Sequence, residues 1–217
     1  MRINMKLLNQ DDFWSLCAKT KDFKDPFYLE ELRPYINKDS FIIEYGCGYG
    51  RILNMLHHHG YNNIAGFDFS EGMIKRGHHE FPYLDLTLID HATIPLQNQS
   101  VDTAILSTVL CCIPDDAAQQ QIIDEISRVL KPNSILYLTD FLITDTEHMM
   151  NKYNLGTDLY NTFGIYQTSE GALVRHHSQD YISKLLKNFQ QGWYREENFV
   201  TMNNNPVKSF HGIYKSK

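Results

Sequence analysis

The chain has 217 residues and a formal net charge of −6, with ordinary apolar, aromatic and charged fractions of 42%, 12% and 21%. This length fits one globular domain, and the acidic balance disfavours nucleic acid as a partner, because a phosphate-binding surface needs basic residues. No stretch approaches the ~20 apolar residues of a membrane span, and the N-terminus lacks the apolar core of a secretory signal.

The four cysteines show no C-x-x-C spacing, so the sequence predicts neither a zinc site nor a disulfide framework. Nothing else in the sequence requires a metal, and none is predicted. Free thiols without a secretion signal fit a reducing compartment, and we therefore expect a cytoplasmic protein.

Residues 1–37 predict two short helices. The first carries an apolar cluster at Phe13, Trp14, Leu16 and Cys17. The second, FYLEELRPYI, repeats its apolar residues with a roughly helical period. Ordinary packing against a sheet would be enough to explain both helices.

The stretch FIIEYGCGYGRIL, residues 41–53, predicts a buried strand, a glycine-rich turn and the start of a helix. Such a turn presents free backbone N–H groups at the positive end of the helix dipole and lets a ligand approach the main chain, which suits a nucleotide. A tight turn without a ligand is the alternative. The dinucleotide fingerprint would need a third glycine where Arg51 stands.

With Glu44 ahead of its first glycine, the pattern E-x-G-C-G-x-G resembles the S-adenosylmethionine loop of class I methyltransferases. The resemblance implies the Rossmann-like fold of that family, S-adenosyl-L-methionine as cofactor, and N-terminal helices that cover it. The loop residues that it implies as cofactor contacts are Glu44, Gly46, Cys47, Gly48, Gly50 and Arg51.

Acidic residues at the ends of the next two predicted strands extend this cofactor site. Asp68 ends the run Ile64–Phe67, where a carboxylate can accept two hydrogen bonds from a ribose diol; a helix N-cap is the alternative, although Ser70 is better placed for it. Asp90 ends the third strand, where the family binds the adenine amino group and an Asx-turn is the alternative. The resemblance adds as contacts Phe69, Met73, His91 and Ala92.

A fourth strand is predicted at Ala104–Ser107 and continues through Thr108–Pro114, with Ser107 implied as a cofactor contact. The family often reads V-L-x-H here, but Cys111 and Cys112 stand in those places, which removes one possible base. Cys112 is expected to contact the acceptor, although two buried small hydrophobes would also explain the pair. The (N/D)-P-P-(Y/F) motif of methyltransferases that act on DNA bases is absent.

The phrase EISRVLKPNSILYLTDF, residues 125–141, resembles the helix and fifth strand of the family, with Asn133 able to adopt the left-handed turn of the usual glycine. The remaining predicted elements are a helix at 144–155, a hairpin with strands at 164–168 and 172–176, a helix from Ser178 through Phe189, and antiparallel strands at 193–202 and 207–215.

The hairpin is extra to the family core, and we expect it to form the acceptor-specific part. Tyr166 and Arg175 are its expected acceptor contacts, with Arg175 holding a carboxylate of the acceptor. A surface hairpin that packs on the last helix or on another subunit is the alternative.

Taken together, the sequence predicts a single α/β domain over residues 1–217, with a mostly parallel seven-stranded sheet and helices on both faces. Residues 1–37 would form a helical cover, and residues 144–177 an inserted helix and hairpin near the acceptor site.

The predicted function is S-adenosylmethionine-dependent methylation of a small-molecule acceptor, and the candidate bases for an oxygen or amine acceptor are Asp140, His176 and His177. An NAD-dependent oxidoreductase, an enzyme that transfers another part of the cofactor, and a non-catalytic cofactor-binding protein stay open as alternatives. A homodimer is compatible with the sequence.

Overall fold

A computed structural model describes residues 10–90, 93–201 and 205–217 of the chain. Its strands are β1 Ile42–Tyr45, β2 Ile64–Asp68, β3 Asp85–Leu88, β4 Val101–Ser107, β5 Leu130–Leu142, β6 Ile165–Gln167, β7 Leu173–Arg175, β8 Phe189–Val200 and β9 Pro206–Ser216. Its helices are α1 Gln10–Thr20, α2 Leu29–Leu32, α3 Arg51–His58, α4 Glu71–Glu80, α5 Asp116–Val129, α6 Glu147–Tyr160 and α7 Gln179–Leu185, with 3₁₀ turns at Arg33–Tyr35 and Leu110–Cys112.

Seven strands form one sheet in the order β3-β2-β1-β4-β5-β9-β8. The five strands β1 to β5 are parallel, whereas β9 runs antiparallel to both β5 and β8. The strand order reverses between β1 and β4, and ligands of such sheets bind at the carboxyl ends of the strands beside this reversal. The predicted mostly parallel seven-stranded sheet is therefore confirmed.

The alternation of side chains along the strands divides the core between the two faces of the sheet. In β5, Leu136 and Leu138 pack with residues of α5 and α7, whereas Ile135 and Tyr137 pack with residues of α2, α3 and α4. Successive side chains of a strand point to opposite faces, so an almost continuous apolar run fills both layers. Helices on both faces, as predicted, follow from this pattern.

Short polar residues begin four helices. Ser70, Asp115, Thr146 and Ser178 each accept a hydrogen bond from the backbone N–H three residues later, at the start of α4, α5, α6 and α7. Asn133 has a φ of 65°, the left-handed conformation expected where the family has glycine.

Several predicted element boundaries are wrong. The helix predicted at 144–155 is α6, Glu147–Tyr160, and the second N-terminal helix is the short α2 followed by a 3₁₀ turn. Thr108–Pro114 does not continue β4, because Thr108 turns into the left-handed region with a φ of 54° and the 3₁₀ turn Leu110–Cys112 follows. Phe189 does not belong to the last helix: α7 ends at Leu185, and Phe189 is the first residue of β8.

The predicted hairpin forms as an antiparallel pair of β6 and β7 outside the main sheet. Helix α6 packs closely on it at Gly156, where a side-chain Cβ would lie 1.7 Å from the carbonyl oxygen of Ile165. In the described ranges, no helix is both long enough and apolar enough to cross a bilayer.

Candidate active site

The glycine-rich loop between β1 and α3 closes tightly on the end of β2. The backbone N–H groups of Gly46 and Cys47 both donate to the carbonyl of Phe67, at 2.7 and 3.1 Å. Gly46 has a φ of 70°, and a Cβ there would lie 2.3 Å from the Val109 side chain, so only glycine fits. The loop thus forms as the sequence predicts.

Asp68 ties the glycine loop to the start of α4. Its Oδ2 accepts a hydrogen bond from the Gly48 N–H at 2.8 Å, and its Oδ1 accepts one from the Ser70 N–H at 2.8 Å. The carboxylate is buried and lines a cavity at the carboxyl ends of the strands.

A cavity of about 540 Å³ lies at the carboxyl ends of the parallel strands, beside the strand-order reversal. It extends from the glycine loop, past the 3₁₀ turn after β4, to the β6–β7 hairpin. Nine of the predicted cofactor contacts line it: Glu44, Gly46, Cys47, Gly48, Arg51, Asp68, Phe69, Met73 and Ser107.

The other predicted cofactor contacts are not part of this lining. Gly50 has a φ of 87° and is the N-cap residue of α3. Asp90 is exposed beyond the end of β3, where Ile89 is the lining residue. His91 and Ala92 lie outside the described residues. Contacts of all thirteen residues with a cofactor stay predictions.

The charged part of the cavity is acidic. Of the described residues in its lining, Asp25, Glu44 and Asp68 carry carboxylates and Arg51 carries a cation. Burial raises the pKa of Glu44 to about 8, while Arg51 opposes the shift and Asp68 adds to it. Within the described part of the chain, Glu44 Oε2 is buried without a hydrogen-bond partner. These carboxylates suit a ligand with positive charge.

Segments from the N-terminal region cover the cavity. Phe13 and Trp14 of α1 and Phe23 of the following loop line it, and Phe23 stacks on Tyr49 of the glycine loop at a centroid distance of 5.4 Å. The Arg51 guanidinium donates to the backbone carbonyl of Asp25 at 2.8 Å and holds this loop in place. Leu16, predicted as part of the apolar cluster, is instead 55% exposed.

Asp25 and Phe23 were not predicted as lining residues, because the N-terminal region carries no motif. One signal was available: Asp25 precedes Pro26, and a residue before proline avoids helical geometry. The two predicted helices therefore had to be separated by an extended segment at this position, where the chain crosses the glycine loop.

The far end of the cavity is formed by the hairpin and the 3₁₀ turn. Of the predicted acceptor contacts, Tyr166 and Cys112 line it, and so does the candidate base His176. The thiols of Cys111 and Cys112 lie 3.7 Å apart, and both point to the carbonyl of Thr108.

Arg175 is not placed to hold an acceptor, contrary to the prediction. Tyr166 pairs with Val174 across the hairpin, whereas Arg175 pairs with Ile165, so Arg175 lies on the opposite face. Its guanidinium donates to the carbonyl of Pro114 at 2.7 Å and to Asp116 Oδ1 at 2.5 Å, behind the cavity wall.

Two of the three candidate bases are also buried behind the wall. Asp140 accepts hydrogen bonds from the backbone N–H groups of Cys111 and Phe141, and burial raises its pKa to about 7. His177 lies 3.0 Å from the Gln119 side-chain nitrogen, and burial lowers its pKa to about 3. Neither lines the cavity, so neither can reach an acceptor there.

Comparison with known proteins agrees with this architecture. Residues 43–138 match the family model described as "Methyltransferase domain". The solved structure of an S-adenosylmethionine-dependent methyltransferase from Methanosarcina mazei is similar, with a TM-score of 0.83 at 21% identity over 89% of this chain and 99% of that one. A search of curated proteins found no significant match.

Two further solved structures are similar. A methyltransferase from Anabaena variabilis has a TM-score of 0.71 at 15% identity over 100% of this chain and 99% of that one. A methyltransferase from Mesorhizobium loti has a TM-score of 0.63 at 18% identity, over 86% of this chain and 96% of that one. At these identities the likeness shows the fold, while the sequence match shows the domain. Residues 43–138 therefore match a methyltransferase domain, and the chain as a whole has the fold of the class I methyltransferases that use S-adenosylmethionine.

Proposed function

We propose that the enzyme methylates a small, largely apolar acceptor bound between the hairpin and the 3₁₀ turn after β4. One observation carries this proposal: the same cavity runs from the glycine loop to the hairpin. A cofactor at the loop end and an acceptor at the hairpin end would therefore share one enclosed space. A pocket of about 540 Å³ is within the usual range for a small-molecule site.

The residues at the loop end fit S-adenosylmethionine. Asp68 would accept hydrogen bonds from the ribose hydroxyls, and the unpartnered Oε2 of Glu44 would receive the ammonium group of the methionine moiety. When bound, the sulfonium supplies an electrophilic methyl group. The task left to the protein is to align the acceptor and to exclude water, which the aromatic cover of Phe13, Trp14 and Phe23 favours.

Among the described residues that line the hairpin end, none carries a cation to hold an acidic acceptor. Its described lining is apolar or aromatic with a few neutral polar groups, including Cys112, Phe141, Tyr166, Val174 and His176. With Arg175 committed to Asp116 and Pro114, the predicted carboxylate anchor is missing. We therefore propose an acceptor without a carboxylate. A cytoplasmic location and a homodimer stay predictions from the sequence.

Transfer of labelled methyl groups tests the proposal. The purified enzyme, incubated with methyl-labelled S-adenosylmethionine and a cell extract, should label the low-molecular-mass fraction and leave protein and nucleic acid unlabelled. The variant Cys112→Phe should fill the acceptor end and abolish labelling, whereas the matched control Cys112→Ala should retain it. Both should bind S-adenosylhomocysteine with unchanged affinity. Labelling of a macromolecular fraction, or of no fraction, would refute the proposed acceptor class.

Cofactor binding should release a proton from Glu44. With a pKa of about 8 in the free protein, Glu44 is largely protonated at neutral pH, and a cation beside it favours its ionised form. Calorimetry of S-adenosylmethionine binding in buffers of different ionisation enthalpy should detect this release, and Glu44→Gln should abolish it. A wild-type enthalpy that does not depend on the buffer would place the ammonium group elsewhere.

Glu44 also predicts how stability depends on pH. Its pKa in the folded protein is raised above the ordinary value of 4.5, so the folded state holds a proton that the unfolded state has lost. Stability of the cofactor-free protein should therefore fall as pH rises from about 4.5 to about 8, and Glu44→Gln should flatten this part of the profile in urea titrations.

A further inference from the structure

Three side chains beside the acceptor end form a chain of hydrogen bonds. His176 Nδ1 lies 2.7 Å from the Tyr153 hydroxyl, and His176 Nε2 lies 3.1 Å from the Tyr166 hydroxyl. Tyr153 and His176 are almost fully buried, and Tyr166 lines the cavity. Both ring nitrogens of one histidine are therefore held by tyrosines.

The far end of this chain determines its direction. The Thr144 backbone N–H donates to the Tyr153 oxygen at 3.3 Å, and the Thr144 hydroxyl donates to the carbonyl of Leu142. The proton of the Tyr153 hydroxyl is then left for His176 Nδ1, which makes that nitrogen the hydrogen-bond acceptor. A neutral imidazole has one donor and one acceptor, so Nε2–H donates to Tyr166.

The two distances agree with this assignment. Hydroxyl donors make shorter hydrogen bonds than N–H donors, and the Tyr153 contact at 2.7 Å is shorter than the Tyr166 contact at 3.1 Å. Burial lowers the pKa of His176 to about 3, with smaller contributions from His177 and Lys152, so the ring stays neutral at physiological pH.

The Tyr166 hydroxyl proton is consequently left for the cavity. Within the described part of the protein, the oxygen of Tyr166 has His176 as its hydrogen-bond partner, and that bond uses an oxygen lone pair rather than the proton. The Lys152 ammonium lies 5.3 Å from the centre of the Tyr166 ring, so it contacts the ring face. A hydroxyl that already accepts a hydrogen bond is a stronger donor.

Building on the proposed function, we propose that Tyr166 donates a hydrogen bond to an oxygen of the acceptor, and that the acceptor is a small aromatic or enolic molecule with a carbonyl or ionised hydroxyl oxygen. His176 and Tyr153 are positioning residues that keep the Tyr166 proton directed into the cavity. The donor would also compensate for the missing cation at this end, because it stabilises negative charge on an oxygen without carrying charge itself.

The direction of the chain is measurable in the protein bound to S-adenosylhomocysteine. Nuclear magnetic resonance of protein labelled with ¹⁵N histidine should show His176 protonated at Nε2 and unprotonated at Nδ1 across the neutral pH range. The variant His176→Gln identifies the signal by removing it. Protonation at Nδ1 would mean that Tyr166 donates to the histidine, and it would overturn the proposal while leaving cofactor binding intact.

The oxygen site is tested with 4-nitrophenol, whose phenolate form is followed by its absorbance. In the presence of saturating S-adenosylhomocysteine, Tyr166→Phe should weaken nitrophenolate binding at least about tenfold, because a bond to a charged acceptor is lost. Binding of 4-nitroanisole, whose oxygen carries a methyl group and no charge, should change less than about threefold.

Two variants separate this role from a structural one. Tyr153→Phe leaves the cavity lining intact but removes the donor to Nδ1, so it should also weaken nitrophenolate binding. Tyr160→Phe, which lies on the same helix and outside the cavity lining, should leave nitrophenolate binding unchanged. Equal nitrophenolate binding by the wild type and Tyr166→Phe, or none by wild type that binds S-adenosylhomocysteine, would overturn the proposed oxygen site. Failure to bind S-adenosylhomocysteine would instead refute the proposed function.

Discussion

Replacing Asp68 with Ala should weaken the binding of S-adenosylhomocysteine by about 10- to 100-fold. The carboxylate would make two hydrogen bonds to the ribose, each worth roughly 1.5–3 kcal/mol, and water would restore part of that energy. The same substitution removes the partners of the Gly48 and Ser70 N–H groups, which hold the glycine loop and the start of α4 in place. Isothermal calorimetry gives the affinity, and thermal melting shows whether the fold survives.

The variant Asp68→Asn distinguishes charge from geometry. Gly48 and Ser70 donate to opposite carboxylate oxygens, so an amide NH₂ must face one of these N–H donors. The Asp68→Asn protein should therefore bind the cofactor almost as weakly as the Asp68→Ala protein does. Asp85→Asn removes an exposed carboxylate on β3 outside the cavity and should have no effect. Unchanged affinity in a folded Asp68→Ala protein would mean that the ribose lies elsewhere.

The loop end of the cavity, where we propose that the cofactor binds, was predictable from the sequence because its chemistry depends on the backbone and on strand ends. A loop that needs the left-handed conformation at Gly46, and a carboxylate directly after a strand, leave a local pattern in the sequence. The order of motifs then determines which loops meet, because the carboxyl ends of parallel strands lie along one edge of the sheet. Nine predicted contacts accordingly lie in one cavity.

The hairpin end of the cavity, where we propose that the acceptor binds, was less predictable, because it depends on which face of a short hairpin each side chain occupies. Tyr166, Val174 and His176 lie on the face toward the cavity, whereas Arg175 and His177 alternate with them and point away. The register Tyr166–Val174 could have been derived from the predicted turn, and it would have separated Tyr166 from Arg175. The contact between Tyr153 and His176 could not have been derived from the sequence, since it joins a helix to the hairpin and no motif marks it.

Replacing Gly156 with Ala should abolish acceptor turnover while leaving cofactor affinity within about threefold, because the two ends of the cavity are held by different elements. A Cβ at this position would lie 1.7 Å from the carbonyl oxygen and 2.8 Å from the carbonyl carbon of Ile165. A backbone carbonyl cannot rotate away as a flexible side chain would, so β6 must shift, and Tyr166 is the next residue along it. Overpacking of this kind costs roughly 1–3 kcal/mol of stability.

Two quantities are measured for each variant: the turnover of the acceptor identified by methyl labelling, and the affinity for S-adenosylhomocysteine by calorimetry. Before that acceptor is known, binding of 4-nitrophenol reports on the hairpin. Leu155→Ala is the matched control, because its side chain is 59% exposed on the same helix, and its effects on turnover and on both affinities should be small. Normal turnover by Gly156→Ala would show that the position of β6 does not matter to the acceptor. The acceptor site would then have to lie under the N-terminal cover, where Trp14 and Phe23 complete the lining.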